Sequence, residues 1–325
     1  MRRYDIDWVR VIAIGLLIIY HAAIAFQPWG TMIGFPTNKE SWPALWLPMS
    51  LLNVWRIPLL FFVSGMGVYF AMQSRTPKEL LLERAKRILV PYIFGIFVIV
   101  PIQLAIWRMK WMYVYNPGHL WFLGNIFVYV LIFTFPFYRL KLKHYSALIA
   151  ILIFIAALVA EVLIIKPIPY ELYAMTWHGF FLGMIAFFFG YVFMAAGIQY
   201  WKMIWPTAIV AIAFSSLRLT MGTPGYLLPI ESVCWILVVL SLAHKYLNKG
   251  SDALKYLSEA AYPVYILHLV YQNLVSALIF PMDLAVPIKY VLLVVLTLAG
   301  CFITYELVKR TNVTRFLFGL KALRP

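Results

Sequence analysis

The chain has 325 residues, of which 64% are hydrophobic and only 12% charged, with a mean hydropathy of +0.87. Ordinary soluble domains carry about 25% charged residues, so that class is excluded and an all-α, polytopic membrane bundle is expected. The formal charge of +15 does not argue for nucleic acid, because most cations flank apolar runs as topology signals do. The two cysteines, Cys234 and Cys301, lie inside apolar runs. They have no metal-ligand spacing, no disulfide follows from them, and they read as small buried hydrophobes.

The first apolar run, Val11 to Phe26, follows Ile6-Asp7-Trp8-Val9-Arg10 and contains His21. Residues 1–26 imitate a signal peptide, with Arg2 and Arg3, an apolar core and Ala23-Ile24-Ala25. Asp5, Asp7, Arg10 and His21 fit a signal poorly, however, and many spans follow. A loop rich in Trp, Pro and Gly covers Pro28 to Trp46. The second span is expected at Leu52–Met72, with Arg56 in its first turns. It is followed by Arg75-Thr-Pro-Lys78 and the run Glu83-Arg84-Ala-Lys86-Arg87. Further spans are expected at Ile88–Trp107, Leu120–Tyr138, Tyr145–Ile165, His178–Gly197 and Ile204–Leu219. Three more follow, at Leu228–His244, Ala260–Phe280 and Pro287–Val308. Each is close to the ~20 apolar residues a span needs. No internal repeat, linker or low-complexity segment stands out, so residues 1–325 read as one domain.

Orientation follows from the cations. With the N-terminus inside, nineteen of the 27 Lys and Arg residues fall on the inner side and seven on the outer, with Arg10 inside the first span. Both termini are therefore expected in the cytoplasm, with ten spans between them in the inner membrane. Trp29, Trp42, Trp46, Trp107, Trp111, Tyr113, Tyr115, Tyr170, Tyr173 and Trp177 crowd the outer ends. An interfacial aromatic belt explains them, and such rings also suit stacking against sugar faces.

Ionisable residues at or inside a membrane helix are costly, and each calls for a functional reading with a partner named. At about 100° per residue, Asp7, Arg10 and His21 share one helix face, with His21 about 16 Å from Arg10 along the axis. A rim cation and a deep imidazole suit a long anionic ligand whose reactive end reaches inward. A neutral imidazole can accept a proton from a hydroxyl, and guanidinium groups bind phosphates in bidentate fashion. Acyl-coenzyme A fits both ends: its nucleotide would rest on Arg10, Arg84 and Arg87 while its thioester reaches His21. The bland alternative is a snorkelling arginine and a hydrogen-bonded histidine in an N-terminal anchor. Arg56, His119, Trp121 and His268 are the further polar or aromatic positions expected to line a cavity, while His144, His178 and His244 read as interface residues. No metal-ligating cluster, Walker loop, dinucleotide fingerprint or nucleophile elbow is present in the sequence.

Asp7-Trp8-Val9-Arg10, ten residues and His21 resemble the first-helix signature of the acyltransferase 3 family of integral membrane acyltransferases. Phe61-Phe62-Val63-Ser64-Gly65 resembles that family's second-helix motif. Arg84-Ala85-Lys86-Arg87 followed by Pro91 is similar to its R-x-x-R element, and His119-Leu120-Trp121-Phe122-Leu123 to its fourth-helix start. Tyr262-Pro-Val-Tyr265-Ile-Leu-His268 resembles its late Tyr and His motif. The resemblance implies O-acylation of an extracytoplasmic glycan from acyl-CoA, with acetyl or succinyl as the acyl group, and it is nearest to the branch that modifies periplasmic glucans. It implies a catalytic pair of Arg10 and His21 with Asp7 beside Arg10, donor-side roles for Arg84 and Arg87, acyl-CoA as co-substrate and no permanently bound cofactor. The partners implied are the bilayer and a carbohydrate acceptor, with no nucleic acid; a homodimer is compatible with this reading. Some members carry an extracytoplasmic esterase-like domain after the last span, which is not expected here; hand-off to such a domain would need another protein. The competing class is a transporter or flippase of glycans, and a third reading is a silent scaffold. A reporter fused after Pro325 is expected to report a cytoplasmic position; an extracytoplasmic signal would overturn the ten-span orientation.

Overall fold

The computed structural model describes residues 3–109, 111, 113, 116–167 and 173–323. Arg2, Lys110, Tyr115, Tyr170 and Arg324, which entered the topology and aromatic arguments, lie outside these residues. Among the described residues the regular structure is helical, and ten helices are long and apolar enough to cross a membrane. They are α1 (Tyr4–Ile24), α2 (Pro43–Met72), α3 (Pro77–Arg108), α4 (Gly118–Arg139), α5 (Ala147–Ile165), α6 (Trp177–Ala195), α7 (Tyr200–Met221), α8 (Gly225–Tyr246), α9 (Asp252–Ile279) and α10 (Val286–Val308). A short α11 follows at Asn312–Leu317.

The order of spans is as expected, but several begin earlier. Helix α3 starts at Pro77 rather than near Ile88 because Thr76 and Glu79 close a capping box. The Thr76 backbone N–H donates to Glu79 Oε2 at 2.8 Å, and the Glu79 N–H donates to Thr76 Oγ1 at 3.4 Å. Pro77 occupies the first helical position, where its missing N–H costs nothing. The basic run Glu83–Arg87 is thereby helical. Within α3, wider π turns occupy Ala85–Leu89 and Gly95–Ile99 and end just before Pro91 and Pro101. A proline ring collides with the carbonyl four residues back in a regular helix, and a π turn relieves that collision. Helix α2 likewise starts early, which moves Arg56 from the first turns into the helix body, where it is buried.

The chain divides into two compact units, each drawing on both halves of the sequence. One comprises the segment up to Arg10, Asn53–Arg84 and Asn125–Ser251. Its interior is rich in aromatic rings: Phe61, Phe62, Phe137, Phe154, Phe187 and Phe193 are all fully buried. Phe137 and Tyr191 stack at 3.6 Å with planes 3° apart. Two glycines let α2 and α6 approach closely. A Cβ at Gly65 would stand 1.9 Å from the Phe187 carbonyl oxygen, and one at Gly190 would stand 1.9 Å from that of Phe62. Small residues at helix crossings are how membrane helices gain packing, since lipid offers no hydrophobic drive between them.

The other unit comprises Val11–Leu52, Ala85–Gly124 and the chain from Asp252 onward. Ala22, Ala25, Phe26, Val275, Ile279 and Leu293 form a core that joins α1, α9 and α10. Helix α9 is buried over 67% of its most apolar window, whereas α7 in the first unit reaches only 17%. So α9 is the buried scaffold on which site residues can be held, and α7 turns Trp205, Ile209 and Ile212 outward as a lipid-facing helix does. The loop after α1 is tied down by backbone bonds from Asn38 to Ala25 (2.8 Å) and from Trp42 to Phe26 (2.7 Å). Gln27 reinforces it by donating to the Trp42 carbonyl at 3.0 Å.

Gly65→Leu is expected to destabilise the protein by about 3 kcal/mol, read as a fall in the thermal midpoint of the detergent-solubilised protein. An unchanged midpoint would show that the α2–α6 crossing tolerates a side chain.

Candidate active site

In the second unit, three histidines expected separately come together around α9. The Nδ1 of His21 lies 2.9 Å from Nε2 of His268, with the two rings within 18° of coplanar. His268 Nδ1 lies 2.6 Å from the carbonyl oxygen of Tyr265, one turn earlier on the same helix. A carbonyl only accepts, so His268 carries its proton on Nδ1. In the neutral ring Nε2 is then an acceptor, and the bond between the histidines must be donated by His21 Nδ1. The lone pair of His21 therefore sits on Nε2. This line of hydrogen bonds fixes the acceptor nitrogen of neutral His21 as Nε2.

His119 completes the cluster from the start of α4, its ring 5.0 Å from that of His268. Its Nε2 donates to the Ile266 carbonyl at 3.0 Å, which leaves Nδ1 as an acceptor. The Tyr265 hydroxyl donates in turn to the His119 carbonyl. Tyr265 thus sets both histidines, one through its carbonyl and one through its hydroxyl. His268 is fully buried and His119 nearly so, whereas His21 is partly exposed. Phe35, from the loop after α1, places its ring 5.3 Å from that of His21. Trp121 is partly buried beside Phe122, whose ring is 6.1 Å from that of Tyr265.

The first unit gathers cations. Helix α1 runs unbroken through Arg10 and His21, so their spacing is helical as expected. Arg10 Nη1 donates to Asp7 Oδ1 at 3.4 Å, and the arginine side chain is 41% exposed, open enough to meet a ligand. A Cβ at Gly67 would stand 3.8 Å from Arg10 Nη2, and Arg84 Nη2 donates to the Gly67 carbonyl at 3.5 Å. Gly67 thus brings two guanidinium groups together. Arg84 Nε also lies 3.2 Å from Glu83. Arg87 belongs to the second unit, where it is exposed and donates to the Gly319 carbonyl at 3.5 Å. Arg56 is buried in the first unit.

Some residues read as interface groups have specific partners. Buried His178 faces Glu161, with Nδ1 2.9 Å from Oε1. Arg218 grips Glu231 in bidentate fashion at 2.8 and 2.9 Å, and Ser215 donates to the same carboxylate at 2.7 Å. Asp5, buried at the start of α1, accepts from Arg3 at 2.9 and 2.6 Å, and His244 Nδ1 lies 3.4 Å away. The bond to Asp5 holds the Arg3 guanidinium above its already high range. His144 donates to the Ala196 carbonyl at 2.9 Å. The sequence signal for the Glu161 and Asp5 contacts is weak: a carboxylate inside an apolar run must be paired, but the run does not say with what.

The family model for an acyltransferase domain matches residues 3–306. The chain belongs to the acyltransferase 3 family. No curated protein and no solved structure matches it. The family match and the ten apolar helices make the chain a multi-pass membrane protein of an acyltransferase family. Among the described residues, Arg10 and Arg84 both lie beside Gly67 in the first unit, and His21, His119 and His268 cluster in the second.

Proposed function

We propose that the protein is an O-acyltransferase that moves an acetyl or succinyl group from cytoplasmic acyl-CoA to a hydroxyl of an extracytoplasmic glycan. The observation that carries this reading is the hydrogen-bond line from the Tyr265 carbonyl through His268 to His21, which leaves the base lone pair on His21 Nε2. An acceptor hydroxyl gives its proton to that nitrogen as its oxygen attacks the thioester carbonyl. The His21 imidazolium that forms keeps its Nδ1 bond to His268, which disperses the new charge. As the carbon–sulfur bond breaks, the proton returns to the departing thiolate. The products are an O-acyl ester and free CoA.

Arg10 and Arg84, both beside Gly67, supply cations for the donor's phosphates, and Arg87, three residues after Arg84 in the same basic run, is the further donor-side cation that the R-x-x-R spacing suggests. Asp7 shares the charge of Arg10, which lowers the cost of holding it at a helix start. Arg10 and His21 are separated on α1 by about 16 Å of helix rise, a distance a pantetheine arm is long enough to cover. The positive-inside bias supports cytoplasmic termini and an inner-membrane location, which puts the phosphates on the side where acyl-CoA is found. A single bundle acting without a stably bound cofactor, alone or as a homodimer, suffices for this chemistry. His119 and Trp121 support the acceptor wall from α4, and Arg56 lies buried in α2.

His21→Ala is expected to lower acyl transfer by about 10³-fold, within the usual range for a lost general base, with membrane insertion intact. His268→Ala is expected to lower kcat about 10²-fold without changing the half-saturating acyl-CoA concentration, and His268→Gln, which restores an acceptor, should recover part of it. CoA release from purified protein measures both; undiminished turnover in His21→Ala removes that residue from the mechanism. A glycan transporter, by contrast, would bind no acyl-CoA and release no CoA.

Arg84→Ala combined with Arg87→Ala is expected to weaken acyl-CoA binding by about tenfold, the loss of one or two charge-assisted bonds at partly exposed sites. The same variant should bind an acyl-pantetheine without phosphates as the parent does. Equal losses for both ligands would show that the arginines do not read phosphate.

A further inference from the structure

Beyond His268, α9 continues into a second set of polar groups that the proposed proton transfer does not use. Gln272 and Ser276 follow at intervals of four residues, and an α-helix places such positions on one face. They rise about 6 and 12 Å past His268 along the axis. Both are fully buried. Neither amide atom of Gln272, nor the Ser276 hydroxyl, has a hydrogen-bond partner among the described residues.

A third residue joins from α3. Asn273 donates its amide to the backbone carbonyl of Gln103 at 3.2 Å, which places Gln103 level with Gln272. The Gln103 side chain is buried too, and its Oε1 lacks a partner among the described residues. His119 Nδ1 is in the same condition. Leaving a buried amide unsatisfied costs about 1–3 kcal/mol per polar atom, and lipid surroundings offer no relief. Single buried hydroxyls without partners among the described residues also occur at Ser232, Ser241 and Thr297. A whole carboxamide open at both ends, four residues from the histidine pair, is of another order.

The chemistry of the set defines its ligand. It presents an N–H₂ and an O–H as donors and two amide oxygens and an imidazole nitrogen as acceptors, with no charge among them. Groups that both give and take hydrogen bonds fit a ligand whose own groups do the same, as the hydroxyls of a neutral sugar do. Position separates this set from the donor's cation. In the second unit, Tyr262 packs beside Gly319, which also meets the Arg87 carbonyl, while Asn273 meets Gln103. Helices α3 and α9 therefore run side by side in the same direction. The order along them is Arg87 and Tyr262, then His268, then Gln103, Gln272 and Ser276.

We propose that Gln272, Ser276 and Gln103 form the subsite that binds the acceptor, a neutral polyhydroxyl ligand, and aim one of its hydroxyls at His21. This inference rests on the acyl-transfer reading above. It also accounts for groups that reading leaves idle. A site built to bond a hydroxyl discriminates strongly against ligands that lack one, because its own polar atoms would otherwise stay buried and unmet.

The experiment uses the full-length purified protein, acetyl-CoA or succinyl-CoA as donor and a neutral gluco-oligosaccharide, maltotriose, as acceptor probe. CoA release and the O-acylated sugar are both followed. Gln272→Leu is expected to raise the half-saturating maltotriose concentration about tenfold, with the half-saturating acyl-CoA concentration within twofold of the parent. Its thermal midpoint should be equal or higher, because an apolar side chain of similar size relieves the buried amide. Ser276→Ala, which removes one hydroxyl, is expected to give a smaller rise in the same direction. A lower midpoint, or a Gln272→Leu protein that no longer folds, would show the amide to be a structural partner and overturn the proposal. So would unchanged maltotriose saturation in both variants, or a rise confined to acyl-CoA, which would assign the amides to the pantetheine arm. If the parent protein releases no CoA from either donor, the acyl-transfer reading fails rather than the subsite alone.

Discussion

A carbonyl oxygen has no proton to give, and that constraint at Tyr265 orders the site around it. Because the Tyr265 carbonyl can only accept, His268 must donate from Nδ1, and because His268 then accepts at Nε2, His21 must donate from its own Nδ1. The direction of every bond is set by a backbone atom on a buried helix, which no side-chain rotation can reverse. The same residue also restrains His119 through its hydroxyl. The spacing Tyr265-Ile-Leu-His268 thus has a physical content: one turn of helix is what brings the Nδ1 of the later residue under the carbonyl of the earlier. A site whose parts are already aligned needs little rearrangement when charge develops, and preorganisation of this kind contributes much of an enzyme's rate.

In the first unit glycine has the corresponding role. Gly65 and Gly190 let α2 and α6 meet backbone to backbone, and two residues on from Gly65, Gly67 lies beside Arg10 and accepts from Arg84 at its carbonyl. A Cβ at Gly67 would stand in ordinary contact with Arg10 Nη2, at 3.8 Å. Helix α3 adds a second device. Its capping box at Thr76 starts the helix in polar sequence, so Arg84 and Arg87 lie on a helix rather than on a loose loop. The π turn Ala85–Leu89 then changes the angular step between them. In a regular helix, residues three apart share a face; here Arg84 precedes the wider turn and Arg87 lies within it, and they bond different carbonyls, those of Gly67 and Gly319.

The spans were legible because hydrophobic burial adds up along a sequence, so a window of twenty residues carries its own evidence. The helix ends were less so. Thr76 and Glu79 cap α3 from within a polar stretch where hydropathy is silent, and only the T-x-x-E spacing with Pro at the first helical position could have shown the start. The helical spacing of Asp7, Arg10 and His21 was legible because all three lie on one helix. The bond between His21 and His268 crosses 247 residues of sequence, and no local pattern encodes which face of α9 meets α1. Gln272 and Gln103 were less legible for a different reason: a neutral amide carries no charge that demands a partner, as an arginine does. The usable signal was the four-residue step from His268 to Gln272 to Ser276, a polar stripe on an otherwise apolar helix.

How each unit treats its buried polar groups bears on what each is for. In the first unit, the carboxylates of Asp5, Glu161 and Glu231 are each matched at short distance by Arg3, His178 and Arg218. A charge buried in low dielectric is tolerated only when paired in this way, and the Glu161–His178 and Arg218–Glu231 pairs each join two helices. The second unit places no carboxylate among its site residues. Its histidines and amides carry no formal charge when neutral, so they are buried at moderate cost, and among the described residues His119 Nδ1, Gln103 Oε1 and both amide atoms of Gln272 have no partner. Neutrality also suits the proposed chemistry. A carboxylate next to His21 would favour the protonated ring and remove the base, whereas a second imidazole can hold the tautomer, accept a share of the transient charge, and leave His21 unprotonated beforehand.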